Sequence, residues 1–335
     1  LFAAIPAFAA PFPGASGMAQ LDATHYLCVQ DRKADQPGAC LGVLAVHPQA
    51  EAKRGQPVLT YAPLEVHGWQ GDRASDIESV CPLPGDGSLF LACESGYWQG
   101  RYGRLFELRV TRGKHGWSAR LERTLQLPEL PDEVEGLACQ ANPAGRVLLL
   151  LGERGGRSPG DSGRLDWGWL DELAAAQQGA GRPAQGWQFT SADVSNPFGA
   201  YPQARAVSDL YLDPDGMLWV ASAYDPDADC GPFASCVWDL ATVDASADAP
   251  EEQVAMLSTA AQDWLMEGLK IEALGPPCLE GAVLSVATDD EGYGGVWRPL
   301  GTPTDILQGS DDSGSGDESG SNPAPDAAET TQPGQ

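Results

Sequence analysis

The chain is poor in positive charge. Four lysines and sixteen arginines face 47 acids, which gives a formal charge of −27 over 335 residues. Nucleic-acid backbones and anionic membrane surfaces are both bound through lysine and arginine, so neither is an expected partner. Long apolar runs are also missing: no internal stretch of eighteen apolar residues occurs, and no integral membrane segment is expected. The four histidines are widely scattered and no cysteines stand as C-x-x-C, which leaves no zinc signature. No G-x-x-x-x-G-K-[ST] phosphate loop is present. What the chain has in quantity is punctuation. Its 40 glycines and 27 prolines are too many for a helical bundle and suit many short strands joined by turns. At 42% hydrophobic residues it can still bury a core.

The two ends differ from the middle. Residues 1–19 are small and apolar, with small-x-small sites at Ala7-Phe8-Ala9 and Gly17-Met18-Ala19. They read as the end of a secretory signal peptide or as a disordered leader. Residues 308–335 are rich in Ser, Gly, Asp and Pro, carry six acids and no base, and are expected to be disordered. A single folded domain is expected over 20–307. Eight cysteines, an even number, beside a signal-like start point to a secreted or periplasmic setting. Cys81 and Cys93 flank an Asp86-Gly87 turn and could pair across a hairpin. Cys28–Cys40 and Cys230–Cys236 would be local loops, and Cys139–Cys278 remains.

A repeat organises the rest. Four segments overlay: Ser75-Asp-Ile-Glu-Ser-Val with Leu89 to Glu94, Asp132-Glu-Val-Glu-Gly-Leu with Leu148 to Glu153, Val207-Ser-Asp-Leu-Tyr-Leu with Leu218 to Ala223, and Leu265-Met-Glu-Gly-Leu-Lys with Leu284 to Asp289. Each is a short strand, a turn and a more apolar strand. Two alternating strand candidates follow each of the first three, at Gly103–Val110 and Trp117–Leu125, Gly163–Trp169 and Gly186–Ser191, and Cys236–Thr242 and Gln253–Leu257. Residues 24–66 supply three more strands, and the fourth of that set is expected from near Thr304-Asp-Ile-Leu307. The pattern predicts an all-β chain, a β-propeller of four-stranded antiparallel blades. Five blades are counted, with a sixth open if a loop hides one.

The inner strand of every blade lines the axis of a propeller, so equivalent residues form a ring. The aligned acids Glu78, Glu135, Asp209 and Glu267 would converge there, and converging carboxylates call for a shared proton or cation. Calcium, which takes six to eight oxygen ligands, is the expected occupant. Asp76 and Glu133, two residues earlier, would extend the ring. A second aligned set, Glu94, Glu153 and Asp289, is broken by Ala223. It offers further ligands or general acid/base groups. Arg154 follows Glu153 and could steady an anion, and Arg205 precedes Asp209 as Arg73 precedes the first acid strand. His67 is the best-placed imidazole.

Arg73-Ala-Ser-Asp-Ile-Glu-Ser-Val followed by Leu89-Phe-Leu-Ala-Cys-Glu-Ser-Gly96 resembles the secreted bacterial phytase-like or esterase-like β-propeller proteins. So do Val134-Glu-Gly-Leu137 with Leu150-Leu-Gly-Glu-Arg154, and Met266-Glu-Gly-Leu269. The resemblance implies a secreted propeller and a calcium-dependent hydrolase of phosphoesters or carboxylesters. In that reading Glu78, Glu135, Asp209 and Glu267 hold the metal, Glu94 or Glu153 is the general base, and Arg154 steadies the substrate. The alternatives are a lactonase-type calcium propeller, whose substrate needs fewer cations, and a non-catalytic scaffold that binds a protein partner on its face. A monomer is expected.

Overall fold

The computed structural model describes residues 12–301 apart from 48–56, 70–72, 96–102, 157, 159, 178–181, 202, 227–230, 258–262 and 290–292. The chain is all-β and forms a five-bladed propeller. Blade one is β1 (Gly17–Asp22), β2 (His25–Val29), β3 (Leu41–His47) and β4 (Val58–Pro63), paired in chain order. Blade two begins with the two-residue β5 (Val66–His67) at its outer edge. It continues as β6 (Ile77–Pro82), β7 (Leu89–Glu94), β8 (Arg104–Gly113) and β9 (Gly116–Gln126), with β5 parallel to β9. Blade three is β10 (Val134–Ala141), β11 (Val147–Glu153), β12 (Gly163–Trp169) and β13 (Thr190–Val194), with the short helix α1 (Leu170–Ala175) after β12. Blade four is β14 (Ala204–Leu212), β15 (Met217–Tyr224), β16 (Ala234–Val243) and β17 (Val254–Met256), and β18 (Trp264–Glu267) also pairs with β16. Blade five shows three strands, β19 (Ile271–Gly275), β20 (Ala282–Thr288) and β21 (Trp297–Gly301).

The ring closes through its inner strands. β1 lies beside β6, β6 beside β10, β10 beside β14, β14 beside β19, and β19 beside β1. The hydrophobic core is accordingly divided into five, one part between each pair of neighbouring blades. This explains an apolar run such as Leu148-Leu149-Leu150-Leu151, which does not alternate. Leu148 and Leu150 pack towards blade four, while Leu149 and Leu151 pack towards blade two. A strand with a blade on each face has no solvent side. Each such leucine contributes roughly 1.5–3 kcal/mol by leaving water.

Turns fall where the sequence places them. Asp86 Oδ1 accepts hydrogen bonds from Ser88 N at 2.9 Å and Ser88 Oγ at 2.6 Å in the β6–β7 hairpin. Asp213 Oδ1 does the same for Asp215 N and Met217 N, both at 2.9 Å, and Gly216 supplies the positive φ of 87° that closes the β14–β15 turn.

Two expectations change. The inner strand of blade one is Gly17–Asp22, on the N-terminal side of the three expected strands. It overlaps the expected leader, and the fold therefore begins before residue 20. Ala15, Ser16 and Met18 are buried, and Ala15 N donates to Thr288 O of blade five at 2.8 Å. The apolar character that suggested a leader is that of a strand enclosed between two blades. Thr304–Leu307, expected to complete that blade, and the tail lie outside the described residues. The cysteines also sit differently. The register sets Cys81 opposite Leu91 and Cys93 opposite Ser79, so those two are diagonal rather than facing. Cys28 packs between blades one and five, whereas Cys40 packs between blades one and two. Cys230 lies outside the described residues, and the seven described cysteines are free thiols.

Candidate functional site

Each inner strand carries a short motif of apolar residue, acid or serine, small residue, apolar residue. It reads Ile77-Glu78-Ser79-Val80, Val134-Glu135-Gly136-Leu137, Val207-Ser208-Asp209-Leu210 and Ile271-Glu272-Ala273-Leu274, with Ala15-Ser16-Gly17-Met18 leading into blade one. Pairing with the second strand fixes this alignment: Ser79 faces Cys93, Gly136 faces Gly152, Asp209 faces Ala221, Ala273 faces Ala287 and Gly17 faces Val29. In blades two, three and five the glutamate is the extra residue of a β-bulge, between Ile77 and Ser79, Val134 and Gly136, and Ile271 and Ala273. A bulge leaves its extra residue out of the ladder and re-aims its side chain. Glu78, Glu135 and Glu272 interact electrostatically as one group.

The small residues let the inner strands approach one another. A Cβ on Gly17 would lie 2.7 Å from Ser79 Cα, and one on Gly136 would lie 2.5 Å from Leu210 Cγ. Asp209 occupies this tight layer, not the acid layer. Its Oδ1 accepts from Ser79 Oγ of blade two and its Oδ2 from Leu274 N of blade five, both at 2.7 Å. Burial pushes the Asp209 carboxyl well above the usual carboxylate range. It acts as a staple across the axis, and both oxygens are engaged.

Glu267 is also displaced from the expected ring. It is exposed on β18, opposite Ala234 on blade four. Its place is taken by Glu272, which is buried. Glu267-Gly268-Leu269 imitates Glu135-Gly136-Leu137 in residue type alone.

On the acid side of the small layer the channel mouth is a mixed-charge cluster. Arg205 pairs with Glu272, lies 3.6 Å from Glu135 and reaches Asp225 at 3.0 Å. Arg154 reaches Glu133 at 2.9 Å and Glu135 at 3.5 Å. Lys270 lies 3.2 Å from both Glu272 and Asp225 and 3.4 Å from Asp289. Asp76, held at a positive φ of 64°, pairs with Lys33. Glu78 is the exception: among the described residues no hydrogen bond or ion pair joins its side chain, and Lys33 and Arg205 act on it only at longer range. Burial raises its carboxyl well above the ordinary range, and Glu135, Asp76, Asp31 and Glu272 push the same way. Burial raises Glu135 while Arg205 and Arg154 draw it back. Burial, then Asp289, pushes Glu272 up to about 7 against the pull of Arg205 and Lys270.

Glu94 and Glu153 are braces. Glu94 accepts from Ser75 N at 2.9 Å and takes the Arg104 guanidinium on both oxygens, at 2.7 and 2.5 Å. Glu153 accepts from Asp132 N at 2.6 Å, with Arg164 Nε 2.6 Å away. Each therefore ties the loop before the inner strand to an arginine that opens the third strand, in Gly103-Arg104-Leu105 and Gly163-Arg164-Leu165. Burial and neighbouring Asp166 push Glu153 up to about 8. Pairing places Ser222 and Thr288 at the corresponding positions, one residue before Ala223 and Asp289. His67 is exposed on β5. Gly156-Arg157-Ser158-Pro159-Gly160 has the spacing of a nucleophile elbow, but a strand, β12, follows it where an elbow requires a helix.

Calcium needs an uncompensated set of oxygens. The four expected ligands do not supply one: Asp209 is engaged by Ser79 and Leu274, Glu267 is outside the mouth, and Arg205 already faces Glu135. Among the described residues no group of three or more His, Cys, Asp or Glu side chains is arranged to hold a metal ion.

Beyond the small layer, Met18, Val80, Leu137, Leu210 and Leu274 form an apolar floor. They open onto an axial cavity of about 530 Å³ with walls from all five blades. No helix of the described residues is long and apolar enough to cross a membrane. No protein-family model matches the chain, and no curated protein is similar to it.

Proposed function

We propose that this protein is a binding propeller whose acidic channel mouth receives a cationic group, a lysine or arginine side chain of a protein partner docked on that face. The observation that carries this reading is Glu78, a half-buried carboxylate with four acids acting on it and no direct ion-pair partner among the described residues, the nearby Lys33 and Arg205 being paired with Asp76 and Glu272. An incoming ammonium supplies the missing charge, and Glu78 ionises as it binds. Glu94 and Glu153, the expected general bases, are held by Arg104 and Arg164, which favours binding over catalysis. The −27 charge attracts a basic partner from a distance. A secreted or periplasmic location suits that role.

Calorimetry with a tetralysine peptide tests it, in two buffers of different ionisation enthalpy. Wild type should bind with proton release. Glu78→Gln should weaken binding about tenfold and abolish the release, although it removes one acid of 47 and barely alters the overall field. Equal binding by the two proteins overturns the reading. Calcium is titrated beside it: tight binding lost in Glu135→Gln would restore the metal.

A second reading is hydrolysis of an ester, phosphoester or lactone, following the resemblance to phytase-like and esterase-like propellers. What favours it is Glu272, which burial brings to about 7, next to the Arg205 guanidinium. A carboxyl that titrates near neutrality suits acid–base work, and an arginine suits an anion. Turnover of such substrates, lost in Glu272→Gln, would establish it.

A further inference from the structure

Cys81 and Cys139 stand on neighbouring inner strands, β6 of blade two and β10 of blade three, and the Cys81 thiol donates to Cys139 Sγ across 3.3 Å. This is the one thiol–thiol hydrogen bond among the described residues. Both side chains line the axial cavity, on the side of the small layer away from the charged mouth. The cavity gives a small reagent access. Cys139 is half-buried and Cys81 is buried. The pair is separated by 58 residues of chain.

We propose that Cys81 and Cys139 form a disulfide between blades two and three when a small-molecule disulfide enters the axial cavity. A disulfide needs sulfurs about 2.05 Å apart, so a little over 1 Å must close, which rotation about the two side-chain torsions supplies. The more accessible Cys139, as thiolate, attacks one sulfur of the reagent. The reagent S–S bond breaks, a mixed disulfide forms on Cys139, and one thiolate leaves. Cys81 then gives up its proton and attacks the Cys139 sulfur, and the second reagent thiolate departs. Two protein thiols are oxidised to one disulfide, the reagent is reduced to two thiols, and the two protons pass to the departing thiolates. Burial and Cys139 hold the Cys81 thiol well above its ordinary range, which makes Cys139 the attacking group and Cys81 the resolving one. The bond closes a long loop and staples two blades, so the oxidised protein is the more stable form.

The test starts from fully reduced protein treated with oxidised glutathione under native conditions. It is then denatured, its remaining thiols are alkylated, and it is mapped by mass spectrometry. The expected result is a peptide pair linked through Cys81 and Cys139. It should be absent in Cys139→Ser, with a rise in Tm of about 5 °C that dithiothreitol reverses and that Cys139→Ser lacks. The wild-type map decides the matter even if the variant folds poorly. Full alkylation of Cys81 and Cys139 after oxidation overturns the proposal. So does Cys81 bridged to Cys93.

Discussion

Replacing Gly17 by alanine is a severe test of where the fold begins. The added methyl would lie 2.7 Å from Ser79 Cα, 3.0 Å from Val80 N and 3.1 Å from Glu78 O. All three atoms are near the point where β6 pairs with β7, and none is the movable end of a side chain. Overpacking into yielding side chains typically costs 1–3 kcal/mol, and a methyl driven into backbone belongs at the top of that range, about 3 kcal/mol. For a domain of this length that is a fall in Tm of roughly 5 °C. Gly87→Ala is the control, because a Cβ there meets nothing within 4 Å. It should stay within about 1 kcal/mol of wild type and could gain from a stiffer unfolded chain. Urea denaturation followed by tryptophan fluorescence measures both. If residues 1–19 were a leader outside the domain, Gly17→Ala would change nothing. A shift below about 0.5 kcal/mol would refute both the placement of β1 and the closure of the ring through it.

Three other perturbations follow from the same geometry. Arg164→Met leaves Glu153 and Asp166, both buried, without their cation, and should cost about 3–5 kcal/mol in urea denaturation at pH 9. The loss should shrink as pH falls through the Glu153 value of about 8. Asp209→Ala orphans Ser79 Oγ and Leu274 N and should cost about 2–4 kcal/mol, while Asp209→Asn, which keeps one acceptor, should cost less. Glu272 holds its proton more tightly folded, with a value of about 7, than its ordinary 4.5. Between those values the folded state binds more protons than the unfolded one, so stability falls as pH rises from about 4.5 to 7, by about 3 kcal/mol, and this contribution is flat above. In Glu272→Gln that slope should be shallower across the same window, as read from denaturation midpoints at each pH. A slope identical to wild type would contradict the raised value.

Much of the propeller is legible in the sequence because its signals are local. Apolar second strands such as Leu148–Leu151, turns such as Asp213-Pro-Asp-Gly and outer hairpins such as Arg104–Gln126 each announce themselves within a dozen residues. The acid ring is half legible. Glu78 and Glu135 stand at equivalent positions, but Asp209 and Glu267 were aligned by residue type, and register depends on spacing. Sixteen residues separate Glu78 from Glu94 and Glu272 from Thr288, whereas twenty-two separate Glu267 from Asp289. That interval, together with the Ile271-Glu272-Ala273-Leu274 motif, marks Glu272 as the member of the set. Blade four carries two extra residues between Arg205 and Asp209 relative to its partner strand, and nothing in its composition signals them. The Glu94 and Glu153 braces were hidden for another reason. Their arginines, Arg104 and Arg164, lie ten and eleven residues on, and only the strand pairing brings them back. The first strand was concealed because enclosure between two blades and passage through a secretion pore both favour small apolar residues.

The central claim is that Glu78 waits for a cation. It is tested most directly by following the carboxyl carbon of Glu78, labelled selectively, by NMR through a pH titration with and without the tetralysine peptide. The account predicts a titration midpoint well above the ordinary carboxylate range in the free protein, falling by at least one unit when the peptide is bound. A midpoint in the ordinary range that the peptide leaves unmoved would contradict it.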